Sequence, residues 1–89
     1  MAYVYPLKEA TEELKLAVWR KGSVIPYFLP SVYRWDAYGS IMQYSEHGNT
    51  NSERGWEIDH IRPLVKGGSA ELINLEPLQW QNNRYKGDS

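Results

Sequence analysis

The chain reads as an α+β domain, and three stretches predict it. Residues 7–20 carry apolar side chains at helical spacing, residues 32–44 set aromatic and β-branched residues around a glycine turn, and residues 56–86 run from an alternating strand to a capped helix. With 89 residues and no repeat, low-complexity tract or linker, residues 1–89 form one domain with one core.

The first helix is expected over residues 7–20. Leu7, Ala10, Leu14, Ala17 and Val18 recur on one face, Pro6 precedes the run, and Gly22 follows Arg20 and Lys21. Glu9, Glu12 and Glu13 lie early and the two cations late, which complements the helix dipole. The helix is assigned to packing. Pro26 and Pro30 then interrupt an apolar stretch, predicting an irregular connection that lays Val24, Ile25, Phe28 and Leu29 over the core. Residues 32–36 and 41–44 flank Ala37-Tyr38-Gly39-Ser40 as a β-hairpin. The polar residues 47–55 form a loop, in which His47 reads as an ordinary exposed histidine.

Residues 56–61 alternate, with Trp56, Ile58 and Ile61 inward, and the strand stops where Arg62 meets Pro63. Residues 63–68 read as a short loop and a second strand, closed by Gly67 and Gly68, which can take positive backbone dihedrals. After Asn74-Leu75-Glu76-Pro77, residues 78–86 read as a capped helix stopped by Gly87.

Composition limits the function. Cysteine is absent, which excludes disulfides and thiolate zinc sites. Stability is therefore expected from packing of Trp19, Trp35, Trp56 and Trp80. No basic stretch leads into an apolar run at the N-terminus, and no segment approaches the roughly 18 apolar residues of a membrane span. The expectation is a soluble, cytoplasmic protein without a membrane role. A net charge of −1 argues against strong nonspecific nucleic-acid binding. Charge is uneven, however: residues 23–53 hold one arginine against three acids, while Arg62, Lys66, Arg84 and Lys86 surround the 56–86 segment. These cations read either as a local basic rim or as solvated surface charge, with Lys66 balanced between the two.

Asp59-His60-Ile61, Gly67-Gly68, Asn74-Leu75, Pro77-Leu78, Asn83-Arg84 and Lys86 resemble the HNH endonucleases, whose ββα-metal core is built in this order. The resemblance covers residues 56–88, and the hairpin at 33–39 is similar to the segment preceding the core in many small members. It implies a small ββα-metal core over residues 56–86, preceded by the N-terminal helix and the hairpin. It further implies His60 as general base, Asp59 and Asn83 as metal ligands, and Asn74 as the brace of the intervening loop. Asn83 stands where the family's last histidine falls. Gln79 and Asn82 stand where many relatives carry zinc-binding cysteines, so no structural zinc is expected.

The chemistry of the residues agrees with these roles. Histidine, with an ordinary pKa of about 6.5, is mostly neutral at pH 7 and can take a proton from water. Asp59 and Asn83 offer hard oxygens, which suit one Mg²⁺ with Mn²⁺ as substitute. Adjacent strand residues face opposite sides, so the sharing of one phosphate by Asp59 and His60 predicts an irregular strand end at His60. Asn74 also fits a plain helix-cap or turn asparagine. Glu57 reads equally as a surface salt bridge or as support behind the site.

The function implied is metal-dependent hydrolysis of DNA phosphodiesters with low sequence specificity, nicking the duplex to leave 5′-phosphate and 3′-hydroxyl ends. Arg84, Lys86, Arg62 and Lys66 are the expected phosphate contacts, and a protein partner would supply any targeting. The alternative is a module on a nuclease fold that binds nucleic acid or a partner without cutting.

Overall fold

The computed structural model describes residues 10–87. Helix α1 spans Glu12–Trp19, and Thr11 caps it by accepting a hydrogen bond from the Leu14 amide at 3.1 Å. The expected start at residues 7–9 lies outside the described residues. Ala10 and Thr11 are not helical, because the threonine side chain takes the cap instead. Strands β1 (Ser23–Val24), β2 (Tyr33–Trp35) and β3 (Ile41–Gln43) form an antiparallel sheet in that order. β2 and β3 are the expected hairpin, with Tyr33 opposite Gln43 and Trp35 opposite Ile41. Its turn closes on Asp36, whose Oδ1 accepts the Tyr38 and Ser40 amides, both at 2.9 Å, and Gly39 takes φ +88°.

The connection between β1 and β2 departs from expectation. Ser23 and Val24 pair with Trp35 and Arg34. Only Ile25 of the four apolar residues assigned to the core is buried, while Val24, Phe28 and Leu29 are exposed. Turns at Ile25–Phe28 and Leu29–Val32, each closed by a backbone hydrogen bond, carry the chain outward, and Tyr27 takes φ +70°.

Strands β4 (Trp56–His60) and β5 (Leu75–Gln79) pair antiparallel and lead into helix α2 (Trp80–Lys86). Here the second strand corrects the sequence reading. Residues 63–68 hold a short 3₁₀ turn at Leu64–Lys66, and the strand partner of β4 is the segment read as the lead-in to the helix. Its burial on both faces removes the alternation that marks a strand, and Pro77 conceals it further. The proline is tolerated because β5 has a partner strand on one side only. α2 accordingly begins at Trp80, with the Gln79 side chain accepting the Asn82 amide at 3.0 Å as the cap.

The core gathers Val18, Trp19, Met42, Trp56, Ile58 and Leu75. The Trp19 and Trp56 rings lie 5.0 Å apart, and their indole nitrogens donate to the Pro30 and Tyr44 carbonyls. Trp35 and Trp80 are only half-buried. No helix among the described residues is long and apolar enough to cross a membrane.

Candidate metal and phosphate site at the end of β4

All five residues of β4 are buried, although only Trp56 and Ile58 are apolar. Strand alternation divides them between two faces. Trp56 and Ile58 pack toward α1 with Leu75, whereas Glu57 and Asp59 face α2. Glu57 receives Asn83 Nδ2 at 2.9 Å and a two-pronged Arg84 guanidinium at 2.5 and 3.0 Å. Asp59 Oδ2 lies 3.1 Å from Lys86 Nζ, which also donates to the His60 carbonyl at 3.0 Å. Asp59 and Asn83, the two residues expected to hold an ion, therefore share the face of the hairpin covered by α2.

The same geometry reassigns the helix cations. Lys86 is nearly buried against Asp59, and Arg84 is engaged with Glu57, so neither is simply displayed to solvent for a phosphate. Glu57 is the buried anchor of α2 and not a surface salt bridge. Arg62 and Lys66 are exposed on the loop after β4, joined by a 2.6 Å bond from Arg62 Nε to the Lys66 carbonyl.

His60 is 5 % exposed and pairs with Leu75 in the ladder. The ladder runs unbroken through His60, and the bend falls at Ile61 and Arg62, one residue later than expected. Ile61 is exposed and not inward. By alternation, the His60 ring belongs to the α1 face, across the strand from Asp59.

Asn74 ties down the loop that follows. Its Oδ1 accepts the Arg62 amide at 2.8 Å, and its Nδ2 donates to the carbonyls of Arg62 at 3.0 Å and Ser69 at 2.7 Å. One carboxamide thus clamps both ends of the segment leaving His60, and α2 takes its cap from Gln79 instead. The glycine pair serves the same loop in two ways. Gly67 supplies φ +88°, whereas a Cβ on Gly68 would fall 1.7 Å from the Arg62 carbonyl oxygen.

Glu76 was given no role by sequence reasoning. It lies directly opposite Asp59 in the ladder. Burial, then the adjoining Asp59 carboxyl, pushes the Glu76 carboxyl up to about 7. Its signal was hidden because cross-strand pairing is readable only once β5 is placed at Leu75–Gln79. His47 also differs from expectation. It is half-buried edge-on against Trp56 at 4.7 Å, its Nε2 has no hydrogen-bond partner among the described residues, and burial holds its pKa below the ordinary histidine value.

Among the described residues no three histidine, aspartate or glutamate side chains cluster to hold a metal. The donors on the α2 face, the carboxylates of Glu57, Asp59 and Glu76 and the carboxamide of Asn83, offer oxygen, which suits a hard cation such as Mg²⁺ better than zinc. Asp59 is 7 % exposed, and its Oδ2 is ion-paired with the Lys86 ammonium at 3.1 Å. No family model, curated protein or solved structure matches this chain.

Proposed function

We propose that the domain is a metal-dependent endonuclease that hydrolyses DNA phosphodiester bonds, with Asp59 and Asn83 as ion ligands and His60 as general base. The observation that carries this reading is the order β4, clamped loop, β5, α2, which sets Asp59 beside the helix bearing Asn83. The reading also rests on the resemblance to the HNH endonucleases noted from the sequence.

A phosphate lying across the end of the ladder would meet His60 from one face and the Asp59 and Asn83 oxygens from the other. His60 takes the proton of the attacking water as the water closes on phosphorus. Asn74 is a positioning residue: by clamping Arg62 it fixes where the strand ends and so where the imidazole stands. A bound Mg²⁺ or Mn²⁺ would supply charge stabilisation to the phosphate and the leaving 3′-oxygen. Arg62 and Lys66 hold the phosphate backbone without reading bases, which gives low sequence specificity and nicks with 5′-phosphate and 3′-hydroxyl ends. A protein partner would provide any targeting, and the cytoplasm is the proposed compartment.

The burial of Asp59 and His60, with Lys86 on Asp59, favours a second reading: a module that binds DNA or a partner without cutting. Substitution at the two adjacent residues separates the readings. His60→Gln keeps most of the buried volume and should abolish nicking of supercoiled plasmid while Mg²⁺ binding persists, and Asp59→Asn should weaken Mg²⁺ binding by calorimetry. A His60→Gln variant that nicks at the wild-type rate removes His60 from the chemistry.

A further inference from the structure

We infer that Asp36 is a positioning residue of the ion site: from the hairpin, outside residues 56–86, it fixes the first turn of α2 and with it the Asn83 carboxamide. The inference rests on the metal-dependent reading above, which makes Asn83 an ion ligand, and it brings the β2–β3 hairpin into the construction of that site.

Asp36 is 4 % exposed, and no cation pairs with it among the described residues, so hydrogen bonds alone meet its charge. Its two oxygens serve different parts of the fold. Oδ1 accepts the Tyr38 and Ser40 amides and closes the hairpin turn. Oδ2 accepts the Gln79 amide at 3.0 Å and Asn82 Nδ2 at 2.8 Å, where β5 passes into α2. The turn needs only the first oxygen; the second joins the hairpin to the helix. Ser40 Oγ adds a bond from the same Asn82 Nδ2 at 2.9 Å. Hydrogen bonds to an ionised carboxylate are roughly twice as strong as neutral ones, which makes this a firm join.

Helix α2 needs such a join. Seven residues are too few to hold a helix in water, and its one buried residue is the polar Asn83. Apart from the half-buried Trp80, no large apolar side chain seats it. Three buried carboxylates grip it along its length instead. Asp36 takes the first turn, Glu57 takes Asn83 and Arg84, and Asp59 takes Lys86. Asp36 acts there beside the Trp80 bonds to the Ser52 and Gly55 carbonyls. Asn83 follows Asn82 directly, so release of the Asp36 end lets the first turn fray and moves the Asn83 carboxamide away from the β4 face.

Manganese binding by the full chain tests this, with the free-ion electron paramagnetic resonance signal read for wild type, Asp36→Asn, Asn82→Ala and Thr11→Ala. In Asp36→Asn an amide donor replaces one acceptor, and Mn²⁺ affinity should fall by roughly tenfold or more. Asn82→Ala removes the helix side of the bond, leaves the hairpin turn intact and should weaken binding in the same direction. Thr11→Ala loses the cap of α1 and lowers the thermal midpoint, but should keep wild-type affinity, since its bond lies apart from the Asp36 network. Wild-type affinity in Asp36→Asn, or in Asn82→Ala should Asp36→Asn not fold, overturns the role of Asp36 and leaves the nuclease reading standing. An equal loss in Thr11→Ala also overturns it, because affinity would then follow overall stability. Absence of Mn²⁺ binding by the wild type removes both the inference and the reading beneath it.

Discussion

On one face of β4, Trp56 and Ile58 join Leu75 against Val18 and Trp19; on the other, Glu57 and Asp59 meet Asn83, Arg84 and Lys86 of α2. Both faces are equally buried, but different physics holds them. The apolar face gains from every square ångström removed from water. The ionic face must first desolvate its charges, and such pairs roughly break even against an apolar packing of the same shape. A strand built for stability alone has no need of Glu57 and Asp59. Their presence, matched by an amide and two cations on α2, keeps on this face the charged groups that the proposed chemistry would use.

The largest loss is expected on the apolar face. Trp56→Ala should cost about 3–5 kcal/mol, since the indole is fully enclosed and a cavity would remain. Urea unfolding should show it, and in a domain this small that loss is most of the stability. A cost below about 1 kcal/mol would mean that the Trp19–Trp56 contact is not the centre of the core.

On the ionic side, Glu57→Gln should cost less, on the order of 1–3 kcal/mol, because Arg84 is partly exposed and can rehydrate when its partner is lost. Asn74→Ala comes next at roughly 1–2 kcal/mol. It removes three hydrogen bonds at the surface, and its main sign should be faster amide exchange at Arg62, with nicking reduced while Mg²⁺ binding persists. Unchanged exchange at Arg62 would remove Asn74 as the clamp.

The smallest effects are in pH, and they have opposite signs on the two faces. The His47 pKa lies below its ordinary 6.5 through burial against Trp56, so its share of stability is complete above about pH 6.5 and is lost as pH falls. The Glu76 carboxyl is raised from 4.5 to about 7, so its share is complete below pH 4.5 and is lost as pH rises through 7. His47→Gln should flatten the acid side of the urea midpoint against pH, and Glu76→Gln should flatten the fall from pH 4.5 to 7. Retention of both slopes in both variants would place the titrating groups elsewhere.

The same two faces explain what could be read from the sequence. Trp56 and Ile58 alternate with polar residues, so β4 and its apolar face were legible, as were the hairpin around Gly39 and the helix of which Glu12–Trp19 is described. β5 was not, because Leu75, Pro77, Leu78 and Gln79 are buried together and leave no period of two. Misplacing β5 hid Glu76 opposite Asp59. The cations of α2 are expected from the sequence as phosphate contacts, because sequence shows a lysine or an arginine but not the carboxylate waiting for it across the fold. His47 escaped for the same reason: a polar loop hid its packing on Trp56.

That the ionic face serves a metal-dependent nuclease is tested most directly by nicking of supercoiled plasmid with Mg²⁺ or Mn²⁺ and then with chelator. The expected result is conversion to open circles that requires the metal, stops with chelator and disappears in His60→Gln. Intact supercoiled plasmid across a broad range of metal, pH and enzyme concentration would contradict it and leave the domain as a binding module.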